Sequence, residues 1–333
     1  MISILSVYIV GCIVSLFLCI FDNKSKVGFI FLFFYFFIFS IVSRFSDYGV
    51  DFLVYRDSLY IPISIMIDNF YYVKEFLYWF FSRSIFVLTS SEAFTFIIID
   101  MLFLSFLAYI LYKKNVSLLF GFLFLLFFCS ILGFLNVYRQ FLATILIFCF
   151  SCLLIETGYI KRSFVFLLSL FLHNVAILFF PLIFLGSKKN KVNTLYFIFS
   201  SLVVMALTIL FSDTKSQTDS AGVFGSNIFL FILFVLFLII LLLDKFRISQ
   251  KNINKYIVCI YVLILSLFSS VLMGEAQVKR IAMIGLIFYL YYIYMSIDST
   301  FLKYERIFLK LILVFFVLFP FFISSSLRSF LLL

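Results

Sequence analysis

Charge is what this sequence has least of. Only 12% of its 333 residues are Asp, Glu, Lys or Arg, where an ordinary soluble domain carries roughly 25%. Hydrophobic residues make up 66%, and 54 of them are Phe, too many for one water-soluble core of this size to bury. A soluble globular fold is excluded. Alternation of polar and apolar residues is lacking as well, which excludes a membrane β-barrel. Acidic residues are scarcer than basic ones, 15 against 25, for a net charge of +10. In a soluble chain that balance would point to nucleic acid. In an apolar chain, Lys and Arg in short loops are topology signals, and no nucleic-acid partner is expected. There is one histidine, and the six cysteines (Cys12, Cys19, Cys129, Cys149, Cys152 and Cys259) all lie inside apolar runs. None forms a metal spacing with the histidine, so they read as small apolar residues, and neither a protein metal site nor a cofactor is expected. The first 20 residues lack a basic stretch and a small-residue cleavage site, and read as a retained first helix.

What is present is a series of apolar runs. A spanning helix needs about 20 such residues, and ten segments qualify: 2–20, 27–43, 94–112, 116–135, 139–156, 194–211, 228–243, 256–272, 281–297 and 307–325. No clean repeat or linker divides them, so residues 1–333 form a single integral membrane domain. The run 163–186 is harder to place. If it crosses once, the basic loops around Lys188, Lys189 and Lys191, around Lys245 to Lys255, and around Lys303 to Lys310 fall outside. If it enters and returns, they fall inside, and the division becomes 16 basic residues inside against 9 outside. His173-Asn174 offers a turning point and Pro181 lies on the returning leg. Each leg is then too short to cross the core of about 30 Å. A single tilted span with His173 on an interior face is the alternative. The expected fold is therefore all-α and polytopic, with about ten transmembrane helices and a half-membrane hairpin at 163–186. The segment 44–93, with "IDNFYYVKEFLYWFFSR" and the one tryptophan, Trp79, predicts an amphipathic helix on the outer surface, its aromatic residues at headgroup level.

Four places could carry chemistry. Arg139, in "NVYRQFLATIL", has no acidic residue within ten positions on either side. It is either an anchor that snorkels to headgroup phosphate or a fork held for a phosphate or pyrophosphate. His173 is polar at membrane depth, where ionisable residues are functional candidates. "MGEAQVKRIAMI" puts Glu275 one turn before Lys279, with Arg280 beside it, which an exposed ion pair also explains. In "DYGVDFLVYRD", Asp47, Asp51 and Tyr55 would share one helical face. Asp100 lies inside the third span and needs a partner that the sequence does not name. The spacing from Arg162 to His173 matches an R-x10-H pattern of membrane acyltransferases, but it falls in mid-chain and Arg162 reads as a cytoplasmic loop residue, so the match is set aside.

Together, Asp47/Asp51/Tyr55 after the second helix, "YRQFLA" at 138–143, "FLHNVAILFFP" at 171–181 and "VKRI" at 278–281 resemble the EpsG-like, Wzy-type polysaccharide polymerases of bacterial inner membranes. The resemblance spans about residues 44–290, and the tail after 300 adds nothing to it. It implies a multi-pass inner-membrane glycosyltransferase with its active site facing the periplasm, and it makes 44–93 a periplasmic segment. Such an enzyme joins undecaprenyl-pyrophosphate-linked oligosaccharide repeat units into O-antigen, capsule or exopolysaccharide. Its partners are the lipid-linked glycan donor and acceptor and membrane lipid, with a chain-length regulator and a flippase alongside. The resemblance assigns Arg139 and Arg280 to the pyrophosphate and His173 to a base or an orienting hydrogen-bond group. Gln140, Asp47, Asp51, Tyr55, Glu275 and Lys279 become substrate contacts. On this reading Arg139 lacks a protein carboxylate because its partner is the substrate's phosphate. A lipid-linked oligosaccharide flippase and a membrane acyltransferase are the rival classes.

Overall fold

The computed structural model describes residues 3–21, 24–46, 50–186, 191–210, 225–245 and 253–332, and no strand occurs among them. The elements are α1 (Ile4–Ile20), α2 (Lys26–Arg44), α3 (Val50–Ser58), α4 (Ile63–Asp68), α5 (Phe70–Val73) and α6 (Phe76–Thr89). They continue with α7 (Glu92–Lys113), α8 (Leu118–Leu126), α9 (Phe128–Leu135) and α10 (Tyr138–Phe148), which runs on into a π-helical turn, Cys149–Leu153. Then follow α11 (Tyr159–Leu172), a 3-10 helix (Asn174–Phe184), α12 (Lys191–Leu210), α13 (Ser226–Lys245), α14 (Ile253–Leu272), α15 (Glu275–Thr300), α16 (Lys303–Ile323) and α17 (Ser325–Leu332). Six of these, α2, α7, α13, α14, α15 and α16, are long and apolar enough to cross a membrane. α8 and α9 pass the same test as one span bent by 59°. Five shorter apolar helices, Ile4–Ile20, Phe76–Thr89, Tyr138–Leu153, Asn174–Phe184 and Asn193–Ile209, accompany them. The protein is an all-α polytopic membrane protein.

Serine begins many of these helices. Ser3, Ser25, Ser91 and Ser117 accept the N–H of Ser6, Gly28, Phe94 and Leu119. Each satisfies one of the donors that a helix start leaves without an intrahelical partner. The bend between α8 and α9 has no such local signal. Phe127 is extended (ψ 134°), with neither Pro nor Gly next to it, and α8 is buried on every side. Packing from all round, rather than local propensity, holds that break.

Contacts divide the chain into two compact units: residues 1–149, 165–176 and 314–333, and residues 150–164 and 177–313. In the first, α2 packs on α7 and α1 on both α2 and α8. Gly11 leaves no room for a Cβ beside the Tyr35 hydroxyl, which donates to Val7 O at 3.1 Å and ties α2 to α1. Asp100, on α7, finds its partner here. Arg44, at the end of α2, donates from Nε to Oδ2 (2.8 Å) and from Nη2 to Oδ1 (3.0 Å). Ser40 and Tyr138 add hydroxyl donors at 2.6 Å each. The guanidinium also reaches Phe134 O and sits over the rings of Phe134 (4.1 Å), Phe52 (4.5 Å) and Tyr138 (4.6 Å). Both ions are buried. A buried pair persists only when its remaining hydrogen-bonding capacity is also met, and these added partners meet it.

In the second unit, the mostly buried α15 packs against α13 and α14. Lys255 pairs with Asp244, and Ser296 bridges them, accepting from Lys255 Nζ (3.0 Å) and donating to Asp244 Oδ1 (3.1 Å). Lys310 pairs with Asp298 at 2.7 Å. Lys255 and Lys310, read from sequence as loop cations, are buried, because each has a carboxylate on a neighbouring helix.

Residues 163–186 do turn back. α11 ends at Leu172 and the chain continues as a 3-10 helix in which Pro181 lacks the N–H of an α-helix. Arg162 donates from Nη1 and Nη2 to the carbonyls of Leu185 and Leu182, and from Nε to Phe150 O at 3.1 Å. One side chain therefore ties the start of the hairpin to its end, which rules out the single tilted span. α11, at 14 residues, is about 21 Å long, short of a core of about 30 Å. Arg162 is fully buried in the first turn of α11, which corrects its reading as a loop residue. Its acceptors lie at the C-terminal end of the 3-10 helix, where a cation is favoured.

Candidate active site

Three helix starts meet at one carboxylate in the first unit. Glu75 is the residue before α6, Arg139 lies in the first turn of α10, and Asn174 opens the 3-10 helix at the hairpin tip. Exposed N–H groups at helix starts favour an anion, and Glu75 is the anion present. Its Oε2 accepts from Arg139 Nη1, and its Oε1 accepts the Asn174 N–H at 3.1 Å. The Glu75 side chain is 3% exposed and that of Arg139 12%.

Aromatic rings close around the guanidinium. Its carbon lies 4.4 Å from the Trp79 ring centre, 5.3 Å from Tyr71, 5.5 Å from Tyr55 and 5.9 Å from Tyr78. Nη2 donates to the Tyr71 hydroxyl at 2.8 Å. Three buried polar atoms of this cluster, Arg139 Nε, Trp79 Nε1 and the Tyr78 hydroxyl, have no hydrogen-bond partner among the described residues. Burying a donor unsatisfied costs about 1–3 kcal/mol, and three such atoms lie in this one cluster. His173 stands beside Glu75, with Nδ1 4.0 Å from Oε1. That Nδ1 accepts the Val175 N–H at 3.1 Å and so carries no proton. The neutral imidazole then has its proton on Nε2, and His173 faces its surroundings as a donor.

A family model for the EpsG family matches residues 27–332. The chain belongs to the EpsG family. EpsG-like proteins are Wzy-type polymerase-like, so this is a multi-pass membrane protein with a polymerase-like role in polysaccharide biosynthesis. The match runs past residue 300, so the tail is part of the family, contrary to the expectation from motifs alone. No curated protein and no solved structure gives a significant match.

Within this EpsG-family chain, the structure brings together Arg139, His173 and Tyr55 of the residues singled out from sequence. It corrects the reason given for Arg139. The guanidinium has a protein carboxylate, Glu75, 64 residues away in the chain, where a search of ten neighbours cannot find it. Glu75, Tyr71 and Tyr78 were missed. The available signal was an acidic residue inside the aromatic stretch "YYVKEFLYWFF", on the same predicted side as a lone Arg. Trp79 is also corrected: it is 1% exposed and faces Arg139 rather than a headgroup layer. Tyr55 is buried in the same cluster, and its ring packs on Tyr78 and Trp79. Gln140 is buried next to Arg139. Asp47 lies outside the described residues, and only the backbone of Asp51, in α3, is described.

Glu275, Lys279 and Arg280 belong to the second unit. Lys279 lies 3.5 Å from Glu275, the ion pair expected at that spacing. Glu275 also accepts the Ser226 N–H at 2.8 Å, and so satisfies the start of α13. Arg280 is partly exposed in the first turns of α15. Among the described residues no cluster of His, Cys, Asp and Glu could hold a metal ion.

Proposed function

We propose that the chain is a glycosyltransferase that polymerises undecaprenyl-pyrophosphate-linked oligosaccharide repeat units into O-antigen, capsule or exopolysaccharide at the periplasmic face of the bacterial inner membrane. The growing glycan leaves its undecaprenyl pyrophosphate and joins a sugar hydroxyl of the next lipid-linked unit. Negative charge develops on the departing pyrophosphate, and fixed cations and N–H dipoles stabilise it. Arg139 supplies a fork suited to phosphate oxygens. Arg280 is the other cation that the resemblance assigns to the pyrophosphate, and Lys279 a substrate contact. His173, through Nε2–H, orients an oxygen of the acceptor or donor. Gln140 and Tyr55 line the Arg139 side. Asp47, Asp51 and Glu275 complete the sugar contacts carried over from the resemblance. The Phe-rich exposed faces of α2, α13 and α16 take lipid and the polyprenyl tails.

One observation carries this reading: a reversing hairpin brings the chain's one histidine to an arginine walled by aromatic rings and orphaned donors, in a member of a polymerase-like family. Glycan profiling of a deletion strain tests it. Surface glycan reduced to single repeat units is the expected outcome. Loss of all surface repeats would instead mean a flippase, and full-length chains lacking an acyl group would mean an acyltransferase.

A further inference from the structure

We infer that Glu75 is the proton acceptor of the transfer, released to act when the donor's pyrophosphate takes Arg139 from it. The inference rests on the polymerase reading above. It starts from the histidine. A base must offer a free lone pair, and the Nδ1 lone pair of His173 is engaged by Val175 N–H, which leaves the ring a donor at Nε2. The carboxylate in contact with this corner is Glu75, and its two oxygens do different work. Oε1 is fixed by the Asn174 N–H. Oε2 is held by Arg139 alone among the described residues.

Arg139 is poised to change partners. Nε has no partner among the described residues, and Nη2 is held by a Tyr71 hydroxyl in a residue 39% exposed. A pyrophosphate engaging Nε and Nη2 meets the fork edge-on in the bidentate geometry guanidinium favours. Trp79 Nε1 and the Tyr78 hydroxyl, buried and unpartnered in the same wall, are further donors for its oxygens. The divalent anion of the donor, seated on Nε and Nη2, draws the guanidinium toward itself, so that Nη1 gives up Oε2 while Oε1 stays anchored to the Asn174 N–H.

The step then balances. The acceptor sugar's O–H bond breaks and its proton passes to Glu75 Oε2. The oxygen forms a bond to the donor's anomeric carbon. The bond from that carbon to the pyrophosphate oxygen breaks, and its electron pair leaves with undecaprenyl pyrophosphate, which Arg139 stabilises. Departure of that product returns Arg139 to Glu75, and the proton is lost to water.

The test uses the full-length protein in lipid nanodiscs. Two quantities are measured: turnover of lipid-linked repeat units per folded protein, and affinity for undecaprenyl pyrophosphate. Glu75→Gln is expected to lower turnover by about 10²–10⁴-fold, the usual contribution of a general base. Its affinity for undecaprenyl pyrophosphate should rise, because Arg139 has lost a competing anion. Turnover within tenfold of wild type overturns the assignment. So does a fall in affinity that accompanies the fall in turnover, since Glu75 would then only hold the site's shape. If Glu75→Gln does not fold, Glu75→Asp keeps a carboxylate one bond shorter. It is expected to turn over slowly with the acid limb of its pH profile intact, and a folded Glu75→Asp without that limb overturns the proposal. Wild-type protein that neither polymerises nor binds undecaprenyl pyrophosphate refutes the polymerase reading itself, and this inference with it.

Discussion

Asp100→Asn tests the packing that holds the start of α10, and hence Arg139, in place. The substitution keeps the side chain's size and removes its charge. Arg44 stays buried, with Phe134 O and its aromatic rings as remaining partners. Removing one member of a buried pair costs roughly 3–5 kcal/mol, because the other charge is left uncompensated. Ring contacts worth about 2 kcal/mol in a desolvated site are present in both proteins and do not change the difference. Replacing both ions, as Arg44→Met with Asp100→Leu, should cost less than either single change, since the charge leaves with its partner. What remains are the hydroxyls of Ser40 and Tyr138, which both lose their acceptor; Ser40, inside α2, can turn to a carbonyl of its own helix, and the stranded Tyr138 hydroxyl costs about 1–3 kcal/mol. The double variant is therefore expected to be more stable than Asp100→Asn by about 2 kcal/mol. Reversible unfolding in mixed micelles measures the cycle. Additive single effects, or Asp100→Asn as stable as wild type, would refute the claim that this pair is coupled and desolvated.

His173→Gln keeps a donor and should retain most activity per folded protein, whereas His173→Ala should not; equal inactivity of the two in a polymerisation assay would restore His173 as the base. Arg139→Lys keeps a charge for Glu75 but loses the planar fork, and is expected to abolish long chains while the protein stays in the membrane, as read by glycan chain length. Arg139→Ala should in addition lose about 3–5 kcal/mol of stability, because it strands a buried Glu75, and thermal unfolding in detergent checks that. Cysteines introduced at positions 160 and 190 in a Cys-free background should react with an impermeant reagent from the same side, the cytoplasm; labelling of 190 alone from outside would contradict the hairpin's orientation.

The run of apolar segments determined the class of this protein directly, because transfer into lipid is a sum over neighbouring residues and needs no knowledge of the fold. The hairpin at 163–186 was legible for a related reason. Loop charges and leg lengths are local counts, and together they required a return. The break at Phe127 was not legible, since nothing in its neighbourhood disfavours a continuous helix and only packing around α8 holds it. The partners of Asp100 and Arg139 were also hidden, 56 and 64 residues away in the chain. An ion pair in a membrane depends on two side chains sharing depth and facing each other, and both conditions are set by how helices pack. The same holds for Trp79: its composition suits a headgroup layer, but the tertiary fold turned it inward to wall the guanidinium. Sequence could name Arg139 and His173 as unusual. The assignment of donor and acceptor between them came from Glu75 and Val175, which only the folded chain brings to the same corner.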